Sequence, residues 1–402
     1  MLQLIKSSGL TLGSLVSRAL SQWLLIWIFA RYGGAEEVGS YAKALAVATP
    51  MFMLAEGGLR LVIVSSPCLP AFTSALNARR AASGLAVVAS VGAGLLVDVP
   101  LFWVMLPLAL IKYFDSVGDI SLAYMQANRK FGLSALGGIL NGGATVSLAW
   151  IAVTLSGTEL LLWASAIGSC ASALVCRLIK LADTGVGELP PISRLVSLGV
   201  SSGVNSLVVY LPIFYLTRFS DTSTVGVYAA LAQALTVTSI VLSGVQQGCL
   251  PWLRKRRTAG VGQVQLRTVA LLLVSVGVAL GVLTFVALPP LMPFVYGSEF
   301  SVARRDVAPF ALACVAMASF TFTSSVLMMS GEYGVQLRIA ATSVVFACGG
   351  AAIAFPHATL LTGSAIALTA HSGKAVAGAL AMSLVLRRRH SEATGTPGGI
   401  HE

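Results

Sequence analysis

Ala30-Arg31-Tyr32-Gly33-Gly34-Ala35-Glu36-Glu37-Val38-Gly39-Ser40-Tyr41-Ala42 returns in altered form as Thr217-Arg218-Phe219-Ser220-Asp221-Thr222-Ser223-Thr224-Val225-Gly226-Val227-Tyr228-Ala229. Arg, Val, Gly, Tyr and Ala coincide at a constant offset of 187 residues. A weaker echo pairs Phe131-Gly132 with Tyr333-Gly334. Each copy of the main repeat opens on a short polar stretch between two long apolar runs, where a loop joins two membrane helices. Chance similarity between stretches of biased composition is the competing explanation. A true repeat makes two units of like orientation, related by an axis along the membrane normal.

The runs on either side set the fold class. The chain has 402 residues, 56% hydrophobic and 10% charged. A soluble domain carries roughly 25% charged residues. That deficit excludes a soluble protein, a disordered one and a secreted disulfide scaffold. A spanning helix takes about 20 apolar residues. Breaks at polar, Pro and Gly positions leave twelve expected helices, over 9–30, 38–64, 81–97, 99–122, 133–155, 159–179, 193–217, 225–250, 266–288, 306–329, 335–355 and 358–386. Only Asp98 and Pro100 divide the third from the fourth. Arg18 interrupts the first run and no small-residue cleavage site follows, so it reads as a retained helix and not a signal peptide. The expectation is an all-α polytopic membrane protein. It has two six-helix bundles, over 1–185 and 186–390, and a disordered tail over 391–402.

Basic residues give the orientation. The formal net charge is +11, from 26 Lys and Arg. Assigned to alternate loops, eighteen of the 26 fall on the side holding both termini. Four (Arg31, Arg218, Arg304 and Arg305) fall on the other side. Excess Lys and Arg mark cytoplasmic loops, so both termini are expected in the cytoplasm. The surplus charge then needs no nucleic acid as partner. The six cysteines show no CxxC and no metal-ligand spacing, and no cofactor motif is present. Gly138 and Gly142 make one GxxxG, which fits close helix packing. Pro50 and Pro212 are expected to kink helices 2 and 7.

Ser17-Arg18 and then Phe29 to Tyr41 resemble the entry to helix 2 in bacterial polysaccharide flippases. These are the Wzx-type O-antigen and exopolysaccharide exporters of the multidrug/oligosaccharidyl-lipid/polysaccharide (MOP) superfamily. Leu54-Ala55-Glu56-Gly57-Gly58-Leu59, Met125 to Phe131 and Tyr296-Gly297-Ser298-Glu299-Phe300 are similar too. Ala35 stands where that pattern has Pro, and Glu56 where Asp is commoner. The resemblance implies a MATE/MOP-like, V-shaped pair of bundles in the bacterial inner membrane. It implies translocation of an undecaprenyl-diphosphate-linked oligosaccharide from the cytoplasmic to the periplasmic leaflet, for O-antigen (lipopolysaccharide), capsule or exopolysaccharide synthesis. A polysaccharide polymerase and assembly proteins are the implied partners, beside the glycan and the bilayer.

An ionisable group at the bilayer centre is costly, about 2.5–3.5 kcal/mol on insertion scales, so it faces a cavity or a partner. Arg18, Lys112 and Lys374 fall nearest the middle of helices 1, 4 and 12, where they would hold the diphosphate. Internal ion pairing is the alternative, above all for Lys112, with Asp115 three residues on. Lys43, near the periplasmic end of helix 2, either binds substrate or snorkels to the interface. Glu56, Asp115 and Asp119 are the candidates for proton coupling, since burial and like charge raise carboxyl pKa values. If helix 4 ends early, Asp115 and Asp119 are solvated instead. Arg60 is placed to pair with Glu56, and His371 shares a face with Lys374. Arg31 and Arg218 are expected to anchor periplasmic helix ends.

Two other functions compete. A drug/cation antiporter or a peptidoglycan-precursor flippase would differ only in cargo. A membrane-embedded polysaccharide polymerase would be an enzyme. It needs catalytic groups on a sizeable outer loop, and the longest here, around Pro289 to Arg305, is one hairpin in size.

Overall fold

A computed structural model describes residues 2–65, 68–179, 187–189, 191–257, 263–330, 335–354 and 358–394. Leu2–Glu56 is two helices, because Gly34 leaves helical geometry at φ 72° and ψ −170°. We call residues 2–33 α1 and residues 35–65 α2. The rings of Phe29 and Tyr41 stack 5.2 Å apart across the bend, so the two helices run antiparallel. Gly57 and Gly58, both at positive φ, interrupt α2 before its last segment, Leu59–Ser65. These φ values suit glycine, which has no Cβ to clash.

The remaining helices follow in order. They are α3 (Phe72–Gly94), α4 (Leu106–Ala127, entered through a π-helical turn at Leu101–Met105), α5 (Phe131–Ser156) and α6 (Leu161–Leu178). Then come α7 (Ile192–Phe219), α8 (Thr222–Arg257), α9 (Gln263–Tyr296), α10 (Arg304–Ser330), α11 (Val335–Ala354) and α12 (Leu360–Thr394). Among the described residues there is no strand, only an isolated bridge between Pro70 and Gly187. Nine described stretches are long and apolar enough to cross a membrane. The first of them, Ala19–Val64, contains the Gly34 bend. Leu337–Ile353 is a shorter apolar helix.

In the first half, α5 packs on α6 and α1, and α4 on α3 and α6. In the second, α10 packs on α9 and α12, and α11 on α12 and α7. The halves meet mainly through α2, which crosses α8 near Gly39 and Gly226 and lies along α7 near Gly199. Val38 and Val225, Tyr41 and Tyr228, and Ala42 and Ala229 are all buried there, each pair matched by the repeat. The helices continue through Pro50 and Pro212.

Several helix ends depart from the sequence reading: α8 runs to Arg257 and not to 250, and α9 continues through Pro289, Pro290 and Pro293 to Tyr296 and not to 288. The third helix begins at Phe72 and not at residue 81, and the fourth runs on to Ala127 and not to 122. Arg79 and Arg80 read as loop charges, yet the intrahelical hydrogen-bond ladder carries through them, because neither residue breaks a helix. The break predicted at Asp98 and Pro100 is present, with Asp98 left-handed at φ 49°. At the other end, α12 reaches Thr394, and residues 395–402 of the expected tail lie outside the described residues.

Candidate functional site

Among the described residues, a larger and a smaller cavity lie within the helices. The larger, about 580 Å³, is lined by α7, α8, α10 and α12, and by α1 and α2 from the other half. Its wall on α8 runs from Tyr228 to Gln246, about 27 Å at 1.5 Å per residue. That approaches the thickness of the hydrocarbon core, about 30 Å. Gln233, Thr236, Ser239, Ser243 and Gln246 recur every three or four positions, so one face of an apolar helix carries a ladder of amide and hydroxyl groups. Lys374 and His371 of α12 join it. Lys374 is buried, and among the described residues no Asp or Glu lines this cavity. Among the described residues Lys374 has no ion pair. The cavity is therefore cationic and rich in hydrogen-bonding groups.

The smaller cavity, about 190 Å³, lies within the first half. Lys112, Glu56, Asp115 and Asp119 line it, with Asn141, Thr145 and Ser116. The Asn141 amide donates to Asp115 over 2.9 Å. Arg60 donates to Asp119 and, over 2.9 Å, to Gln126. Gln22 and Tyr41 line both cavities and so stand between them. Beside them the Tyr210 hydroxyl accepts from Thr49.

Several expectations change. Lys112 and Lys374 do not share one cationic lining: the first faces the acidic cavity and the second the cationic one. Helices 4 and 12 lie in different halves, and sequence depth gave no azimuth. Arg60 pairs with Asp119 and not with Glu56, because the glycine break at Gly57 and Gly58 turns the Leu59–Ser65 segment toward α4. Asp119 is buried, since helix 4 does not end early. Lys43 lines neither cavity; its ammonium donates to Thr222 over 2.7 Å, where α2 meets α8. The Arg18 side chain lies outside the described residues. Gln22, Tyr41, Tyr210 and Asn141, and the α8 ladder, are uncharged, and in an apolar run it is charge that marks a residue as out of place. The three- and four-residue spacing along α8 was a legible signal.

At the end that carries Arg31, hydrogen bonds tie the two halves. The Arg31 guanidinium donates to the Val295 carbonyl over 2.8 Å and to that of Phe294. The Trp27 indole donates to Val295 over 3.0 Å and that of Trp23 to the Tyr296 hydroxyl over 2.8 Å. The Ala35 amide donates to Glu299 over 3.0 Å. Arg31 thus ties the end of α1 to the end of α9, while Arg218 lies 5.6 Å from the centre of its neighbour Phe219's ring.

No protein-family model matches the chain. A curated relative, the capsular polysaccharide biosynthesis protein CapF of Staphylococcus aureus, is 22% identical over 341 residues, covering 80% of this chain and 84% of its own. Among solved structures, a MOP superfamily transporter from Pyrococcus furiosus superposes with a TM-score of 0.62 at 13% identity, covering 98% of this chain and 96% of that one. Its published description speaks of a binding pocket of reversed polarity that suggests a different function. A mutant of the Vibrio cholerae MATE transporter VcmN gives a TM-score of 0.62 at 12% identity, covering 98% and 97%. An inward-facing multidrug-resistance MATE transporter gives 0.61 at 11%, covering 95% and 96%. This chain is a multi-pass membrane protein with the fold of the MATE transporters of the MOP superfamily.

Proposed function

We propose that the protein is a transporter that flips a diphosphate-linked oligosaccharide lipid across the bacterial inner membrane, for capsule or another surface polysaccharide. The observation that carries this reading is the long cavity with a polar ladder on α8, buried Lys374, His371 and no carboxylate in its lining. A cavity of that polarity favours an anionic, hydroxyl-rich cargo over a cationic drug. The capsule-synthesis relative supports the same class of cargo. Lys374 is the substrate-binding cation in this scheme, and Arg18 and Lys112 serve the diphosphate on its way through the first half.

In this scheme the chain makes twelve crossings with both termini cytoplasmic, and residues 1–185 and 186–390 rock as units in alternating access. The bonds from Arg31, Trp27, Trp23 and Ala35 to residues 294–299 break and reform as the halves rock. Proton coupling is assigned to Glu56, Asp115 and Asp119 around the smaller cavity, since carboxyl groups that face a cavity exchange protons as its exposure changes. A polymerase and assembly proteins take the exported unit.

The test is a flipping assay in proteoliposomes with a fluorescent undecaprenyl-diphosphate glycolipid. Wild-type protein is expected to move it, and Lys374→Gln to slow it by about tenfold, the loss of one charge-assisted contact. Transport of a monovalent organic cation without movement of the glycolipid would overturn the proposal.

A further inference from the structure

A third concavity, about 120 Å³, lies in the first half between α3, α4 and α6. Tyr113, Phe114 and Ser121 of α4 lie along it, with Arg80 of α3 on one side and Leu174 and Arg177 of α6 on the other. Among the described residues none of α1, α2 or α5 lines it, so it lies on the face of α3, α4 and α6 turned away from those helices.

Helix packing sets the level of each group. The Ser83 and Ser116 hydroxyls are hydrogen-bonded at 2.8 Å, which fixes α3 against antiparallel α4. Gly118 approaches Ala173 closely, which fixes α4 against α6. Counting from these contacts, Arg80 and Arg177 both stand near the level of Ser121. Tyr113 and Phe114 lie about 11 Å further along α4. They fall at mid-length of the Leu101–Ala127 span, hence near the middle of the bilayer. The groove therefore has a basic end near the membrane surface and an aromatic end in the hydrocarbon. Neither Arg80 nor Arg177 forms an ion pair among the described residues, and no carboxylate lines the groove.

We propose that this groove binds an anionic membrane phospholipid, its phosphate between Arg80 and Arg177 and an acyl chain along Tyr113 and Phe114. Two guanidinium groups facing lipid need an anion, and basic pockets between membrane helices at this depth suit phospholipid headgroups. The site is separate from both interior cavities and does not depend on the identity of the cargo.

Native mass spectrometry of the full-length protein in detergent tests it, with phosphatidylglycerol and cardiolipin titrated against phosphatidylcholine. The anionic lipids are expected to be retained and phosphatidylcholine lost. Arg177→Gln is expected to weaken retention roughly fivefold, and adding Arg80→Gln roughly twentyfold. Arg177 is exposed, so the single variant reads the site even if the double variant fails to fold. Equal retention by wild type and Arg177→Gln overturns the proposal. So does binding of glycerol phosphate as tight as that of the lipid, or binding of an isoprenyl diphosphate with no phospholipid bound.

Discussion

Gly39 and Gly226 each lie against the residue four positions before the other. A methyl on Gly39 would stand 2.0 Å from the Thr222 carbonyl oxygen, and one on Gly226 1.9 Å from that of Ala35. Thr222 and Ala35 are themselves matched by the 187-residue repeat. The two copies therefore face each other about a local twofold, and the shared glycine lets backbone approach backbone. Gly39→Val or Gly226→Val forces the helices apart. Overpacking costs typically 1–3 kcal/mol, and a backbone carbonyl cannot swing aside as a side chain can. Each variant should lower the melting temperature in detergent. Gly84→Val, where nothing lies within 4 Å, should leave it unchanged. Equal melting of all three would show that the crossing has slack.

The Arg60–Asp119 pair is lopsided: the arginine side chain is 32% exposed and the aspartate 7%. Arg60→Ala takes a guanidinium from a buried carboxylate, whereas Asp119→Asn leaves a half-exposed cation with other recourse. Loss of one partner of a fully buried pair costs about 3–5 kcal/mol. Exposure of Arg60 reduces this to about 1–3 kcal/mol. Thermal unfolding should therefore rank Arg60→Ala as the more damaging variant. The reverse order would mean that the carboxylate is compensated elsewhere.

Arg79 is fully buried, and its Nε and one terminal nitrogen have no hydrogen-bond partner among the described residues. Unsatisfied buried polar groups cost about 1–3 kcal/mol each. Arg79→Met keeps the length of the side chain and removes the charge, so the variant should melt higher than wild type. A lower melting temperature would place an anion at the guanidinium in the folded protein.

Asp221 starts α8 outside the membrane-spanning stretch. Its carboxylate accepts hydrogen bonds from the Ser223 and Thr224 hydroxyls and from the Thr224 amide over 3.0 Å. These bonds hold its pKa below the ordinary carboxylate range. A depressed folded pKa gives stability that is complete above the unfolded value, about 3.9, and is lost as pH falls through the folded one. The melting-temperature gap between wild type and Asp221→Asn should be constant above about pH 5 and narrow below about pH 4. A gap independent of pH would remove the cap from the account.

Apolar run length and charge spacing sufficed for the helical class and most helix positions, because the cost of burying charge in hydrocarbon is read one residue at a time. Even so, Arg79 misled the boundary of α3, since a loop arginine and a buried one look alike in sequence. Glu56, Asp115 and Asp119 were legible as membrane acids, and Lys374 as a buried cation. That Lys112 shares a cavity with all three acids, and that Lys374 lines a different one, was not.

By itself, the order of residues determined that this chain lives in a membrane and that residues 30–42 and 217–229 share a pattern. Both are properties of composition and spacing along one dimension. Only the tertiary structure decided that Lys112 joins the acids, that Lys374 stands apart from them, and that Arg60 reaches Asp119. Which side chains meet depends on the rotation of each helix about its axis, and that is settled by packing between helices far apart in the chain.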